Sequence, residues 1–157
     1  MSALPFSVPS IERFLAAGLL SSLLSTAVLA WRGKVEDGAA AAPLNAVSHW
    51  FWGDEALARD GTDASHTGAG VVTHLAATAF WATFYAWMRS RRDRPGTVDA
   101  VTDAALVTAV AAVVDLKLVP ERLTPGFEHR LSRPSLTGVY VAVGVGLALG
   151  GLLTLRR

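Results

Sequence analysis

The sequence predicts an all-α integral membrane protein: a four-helix bundle with a short interfacial helix in its first outer loop. Four apolar stretches, 14–31, 68–88, 104–119 and 136–155, carry most of that expectation. Each is close to the ~20 helical residues that cross a hydrocarbon core about 30 Å thick. Charged residues are 17% of the chain, well under the roughly 25% of a soluble domain. The mean hydropathy of +0.38 points the same way. So little chain lies between the stretches that one transmembrane domain, residues 1–157, is the expected organisation.

The first stretch has two readings. Arg13 precedes an apolar run, and Val28-Leu29-Ala30 fits the small-x-small pattern of a signal-peptide cleavage site. The run is longer than the roughly 7–15 residues of a signal core. Gly18, Ser22, Thr26 and Ala30 recur at helical spacing, as on a membrane helix that packs closely against another. Retention as a span is the expectation, with cleavage the alternative.

Between the first two spans lies an acidic segment. Within it, Pro43 opens a short helix through Trp52, since proline is tolerated in a first turn. Asn45, Ser48, His49 and Trp52 share one face, and Leu44, Val47 and Phe51 another. Trp and Phe on an amphipathic segment suit the headgroup layer. Span two follows Asp63-Ala64-Ser65, which offers N-cap residues. It ends in Trp81, Tyr85 and Trp87, then Arg89, Arg91, Arg92 and Arg94, with Pro95-Gly96 turning the chain. Asp99 and Asp103 open span three, favourably placed against its dipole. Pro120 closes it.

Thr124-Pro125-Gly126 is a turn signal in the third loop, followed by one helical turn, 127–131. Pro134 starts span four. Gly138, Ala142, Gly146 and Gly150 run along that helix four apart, an extended form of the small-xxx-small packing pattern.

Orientation rests on arginines beside the helix ends. The second loop holds four within six residues, and Arg156-Arg157 end the chain. Counted in full, Lys and Arg divide seven to seven between the two sides, and the tight cluster decides because the rule acts through short loops next to spans. Both termini are therefore expected in the cytoplasm. Arginine outnumbers lysine twelve to two and alanine is abundant, a bias of GC-rich bacterial genomes; the bacterial inner membrane is the expected location.

Several chemistries are excluded or unsupported. Without cysteine there are no disulfides, thiolate metal sites or cysteine nucleophile. A net charge of +1, with no basic run interleaved with aromatics, argues against nucleic acid. No GxSxG, HExxH or phosphate-binding glycine loop is present, and the chain reads as a non-enzyme.

With this orientation His49, His66, Glu121 and His129 fall on the outer side, where one vestibule could gather them with His74 and Asp115. Imidazole and carboxylate are ligands for zinc or a related metal and equally the parts of a proton relay. No histidine pair has metal spacing, and no cofactor is identified. Solvated loop ends explain His49 and His66 as well, and His129 can pair with Glu128 or Glu121. His74 and Asp115 are the intramembrane pair. His74 continues into Thr78, Trp81 and Tyr85 on one stripe, and Asp115 lies with Ala104, Thr108, Ala111 and Ala112. Ionisable groups at such depth face other helices and seek a partner, so a His74–Asp115 contact is the sharpest expectation. A hydroxyl on a neighbouring helix could satisfy His74 instead.

The runs Leu44-Asn45-Ala46-Val47-Ser48-His49-Trp50-Phe51-Trp52-Gly53, His66-Thr67-Gly68 and Val119-Pro120-Glu121-Arg122-Leu123-Thr124-Pro125-Gly126-Phe127-Glu128 resemble those of small four-span bacterial inner-membrane proteins. That resemblance implies a multi-pass protein and no particular activity. The leading functional expectation is an accessory subunit or homo-oligomer. The alternative is a binding or transport protein with an outer-facing polar site near His74 and Asp115.

Overall fold

The computed structural model describes residues 8–155, which are mostly helical with no strand among them. Four helices are long: α1 (Val8–Glu36), α5 (Ala69–Ser90), α6 (Thr97–Val113) and α7 (Arg133–Leu153). Three short ones lie in the first loop: α2 (Ala42–Val47), α3 (His49–Trp52) and α4 (Asp54–Leu57). The long helices meet in the cyclic order α1–α5–α6–α7, with α1 against α7 the most extensive pairing.

Three helical segments, Ile11–Glu36, Thr97–Leu118 and Arg133–Leu153, are long and apolar enough to cross a membrane. The expected second span, α5, is 22 residues long but more polar, carrying Thr73, His74, Thr78, Thr83 and Tyr85. The physical reason is its position. Thr73, His74, Thr78, Tyr85 and Arg89 are all buried, whereas Val72, Phe80 and Phe84 are exposed on its outer face.

Local signals set the helix ends. Gly96 N–H donates to Asp99 Oδ2 at 2.8 Å at the start of α6, and Pro134 sits in the first turn of α7. A π turn over Val114–Leu118 continues α6, closed by Val119 N–H to Val114 O at 3.0 Å. Extended backbone at Val119, before Pro120, ends it.

Gly146 and Gly150 let α7 lie directly on α1. A Cβ at either would fall on the backbone of Ser21 or Ala17. Ser21 Oγ also donates to Val143 O at 3.0 Å, a hydrogen bond between the two helices. The α1 residues facing α7 are therefore Ala17 and Ser21. Gly18, on the stripe read from the sequence, instead faces Ala79 and Ala82 of α5.

The first loop differs most from expectation. All six α2 residues are buried, so α2 is a plug packed between helices, with no free apolar face of its own. Its polar face bonds to protein: Asn45 Nδ2 donates to Arg59 O and Gly61 O, and Asn45 Oδ1 accepts from Thr67 Oγ1 at 2.6 Å. Leu44 O rests where a Cβ of residue 70 would be, so Gly70 admits α2 against α5. Gly126, at φ +90°, likewise brings the third loop close to Ala46 O. Only the aromatic end, Phe51 and Trp52, is exposed as a headgroup anchor would be.

The loops are clamped by charge. Arg130 binds Asp37 at 2.7 Å, Leu57 O at 2.9 Å and Asp60 at 2.5 Å. Glu36 accepts from Ser132 N–H and from the Ser132 and Ser135 hydroxyls. The α1 C-terminus is thereby tied to the α7 N-terminus. At the opposite end Arg89 is buried on Asp103 at 3.7 Å, so neither residue is the solvated loop or helix-start charge that its position suggests. Arg156 and Arg157, used for the orientation, lie outside the described residues.

Candidate functional site

Beneath the α2 plug, a cavity of about 450 Å³ opens among α5, α6 and α7. His74, Ala77 and Trp81 line it from α5, Ala111 and Asp115 from α6, and Tyr140 and Val143 from α7. Trp50, Pro125 and Phe127 roof it. Phe127 sets its ring edge-on to both His74 and Tyr140, at centroid distances of 6.3 and 6.4 Å.

His74 is buried and 2.7 Å from Ser25 Oγ through Nε2. Ser25 has one proton, and its 2.6 Å bond to Ser21 O uses it. That network assigns the Nε2 proton to His74, which donates to Ser25 and leaves Nδ1 an acceptor in the neutral ring. Asp115 accepts from Tyr140 O–H at 3.2 Å, with the Trp81 side chain beside the same carboxyl. The other polar groups are committed. Thr73 and Thr78 hydroxyls bond their own helix, and Trp50 Nε1 donates to Thr124 O. Spare capacity is thus acceptor capacity, on His74 and Asp115. An apolar cavity with an acceptor-rich end suits a ligand whose head is a hydroxyl or protonated amine.

His74 and Asp115 therefore line one cavity while each holds a different protein partner. The remaining expected residues lie elsewhere. His49 is buried, its Nδ1 donating to Ala46 O at 2.9 Å. His66 is buried on Asp63, whose carboxylate accepts from His66 N–H at 2.7 Å and from the ring at 3.0 Å. The His66 backbone N–H, then its ring, hold the Asp63 carboxyl below its ordinary range. His129 is half-exposed, 3.7 Å from Glu128, and Glu121 is exposed in the loop. Among the described residues no three His, Asp or Glu side chains are grouped to hold a metal ion.

Ser25, Tyr140 and Trp50 do not stand out in the sequence. Ser25 lies four residues after Ser21, a hydroxyl stripe beside the small-residue stripe on α1; Tyr140 is the one aromatic residue within span four. No family model matches this chain, and no curated protein or solved structure is significantly similar to it.

Proposed function

We propose that this chain is a non-enzymatic, multi-pass protein of a bacterial inner membrane that binds a small, mostly apolar ligand bearing a hydroxyl or protonated amine. The observation that carries this reading is the cavity, with His74 and Asp115 at its polar end. Its volume falls in the roughly 300–1,000 Å³ range of small-molecule sites. In this reading α5 is the fourth span. It packs between two apolar helices, its polar side chains point inward, and its exposed face is Val72, Phe80 and Phe84. The accessory-subunit reading draws less support, because Gly146 and Gly150 already serve contact with α1.

The full chain in lipid nanodiscs tests the site, with ω-bromoundecanol as probe, since bromine quenches Trp50 and Trp81 on contact. Saturable quenching is expected, stronger than that by ω-bromoundecanoate, whose anionic head meets acceptors only. His74→Ala and Asp115→Asn should each weaken alcohol binding about tenfold, the loss of roughly one charge- or imidazole-assisted hydrogen bond. Ala77→Phe should fill the cavity and abolish saturation. Quenching that rises only with membrane partitioning, unchanged by Ala77→Phe, would refute the site.

Orientation follows the arginine-rich second loop: it and both termini are placed in the cytoplasm, with α1 retained. The chain has no cysteine, and nothing lies within 4 Å of a Cβ built at Gly61. Gly61→Cys should therefore react with an impermeant maleimide in whole cells, and Gly96→Cys should not. The reverse labelling would invert the orientation.

A further inference from the structure

A second concavity runs along the outside of α6 and α7, with a volume of about 1090 Å³. Its walls are small and apolar: Ala105, Ala109 and Ala112 on α6, Gly144, Ala148 and Leu152 on α7. At the third-loop end three charged residues stand at its mouth, Lys117, Glu128 and Arg133. Lys117 and Arg133 are exposed, and neither has a side-chain partner among the described residues. Glu128 has the opposite problem. Both its carboxyl oxygens are covered and receive no hydrogen bond, with His129 no nearer than 3.7 Å. A covered carboxylate without a donor is costly, and turning it to a donor at the groove mouth removes that cost.

We propose that this groove binds a zwitterionic aminophospholipid, its phosphate between Lys117 and Arg133, its primary ammonium on Glu128, and its acyl chains along the alanine-glycine walls. Charge complementarity selects the occupant. A purely anionic headgroup leaves Glu128 unpaired and repelled, and a choline headgroup has no N–H to donate to it. Depth agrees: one leaflet, half of about 30 Å, corresponds to about ten helical residues. That distance carries the chains from Lys117 to Thr108, where Thr108 Oγ1 and Gly144 meet on the groove floor. A second copy fits less well. Two-fold pairing through this face, about an axis along the membrane normal, would set Lys117 and Arg133 against themselves.

Native mass spectrometry of the full chain in detergent, titrated with dioleoyl phosphatidylethanolamine, phosphatidylglycerol or phosphatidylcholine, tests this. Phosphatidylethanolamine should bind at least fivefold more tightly than phosphatidylcholine. Glu128→Gln should remove its advantage over phosphatidylglycerol, and Lys117→Ala with Arg133→Ala should weaken both lipids about tenfold. Ala109→Trp, at an exposed groove position, should block binding while leaving the thermal unfolding midpoint unchanged, separating groove occupancy from folding. Equal binding of ethanolamine and choline lipids would overturn the proposal. So would tightest binding of phosphatidylglycerol with no response to Glu128→Gln, or a lipid-free dimer that Ala109→Trp dissociates.

Discussion

Gly146→Leu should lower the stability of the detergent-purified protein by about 3 kcal/mol or more, at or beyond the top of the usual overpacking range. Ordinary overpacking displaces side chains, which can change rotamer. At Gly146 the obstacle is main chain: a Cβ would lie on Ser21 Cα and N, with the carbonyl carbon of Leu20 at 2.7 Å. No rotamer relieves that contact. The helices must separate, and separation also breaks the Ser21–Val143 hydrogen bond. Even Gly146→Ala should cost about 1–3 kcal/mol. Gly138, two steps along the same four-residue stripe, supplies the contrast. Its Cβ would meet only Val28 Cγ1, at 3.9 Å, so Gly138→Ala should be tolerated within about 0.5 kcal/mol. Thermal or denaturant unfolding in detergent measures all three. Equal effects at Gly138 and Gly146 would mean that the close α1–α7 approach does not govern stability.

That contrast marks what periodicity can and cannot reveal. Three long apolar helices were legible because a helix side chain turned to lipid must be apolar, and hydropathy reads that surface directly. α5 is less apolar because its polar residues are spent on neighbours: His74 on Ser25, Tyr85 on Ala100 O, Arg89 on Gly96 O. The inward stripe of His74, Thr78 and Tyr85 was visible from spacing, but the partners were not, since they depend on which helix lies opposite. α2 shows the same limit. Its amphipathic face implied water or headgroups, yet Asn45 bonds to backbone carbonyls 14 and 16 residues away, and only the folded loop brings those near. The histidines suggested a common vestibule because the expected topology put them on one side of the membrane. That shared side left open their dispersal: His49 turns to a carbonyl and His66 to Asp63.

Asp103→Ala should destabilise the protein by about 3–5 kcal/mol, the cost of leaving a buried charge without its partner. Asp103 holds two arginines. Arg92 forks onto it at 2.9 and 2.5 Å, and Arg89 lies 3.7 Å away. The arginines differ in their access to water. Arg92 is 39% exposed and also pairs with Asp99 at 2.8 Å, whereas the Arg89 side chain is 0% exposed. Without Asp103, Arg92 keeps Asp99 and solvent. Arg89 keeps one 3.3 Å bond to Gly96 O, with Nε and Nη1 still lacking hydrogen bonds. The loss therefore falls mainly on Arg89. Arg92→Ala strips both hydrogen bonds from the Asp103 carboxylate, which is 2% exposed and then keeps only Arg89 at 3.7 Å, and should cost about 1–3 kcal/mol. Adding Arg89→Met to Asp103→Ala should recover most of the loss, because an apolar chain of similar length needs no counter-charge in that position. Unfolding in mixed micelles, followed by circular dichroism, compares the single and double variants. If Arg89→Met fails to rescue Asp103→Ala, the burial of Arg89 does not depend on Asp103, and the arginine-rich end of the molecule is held by packing alone.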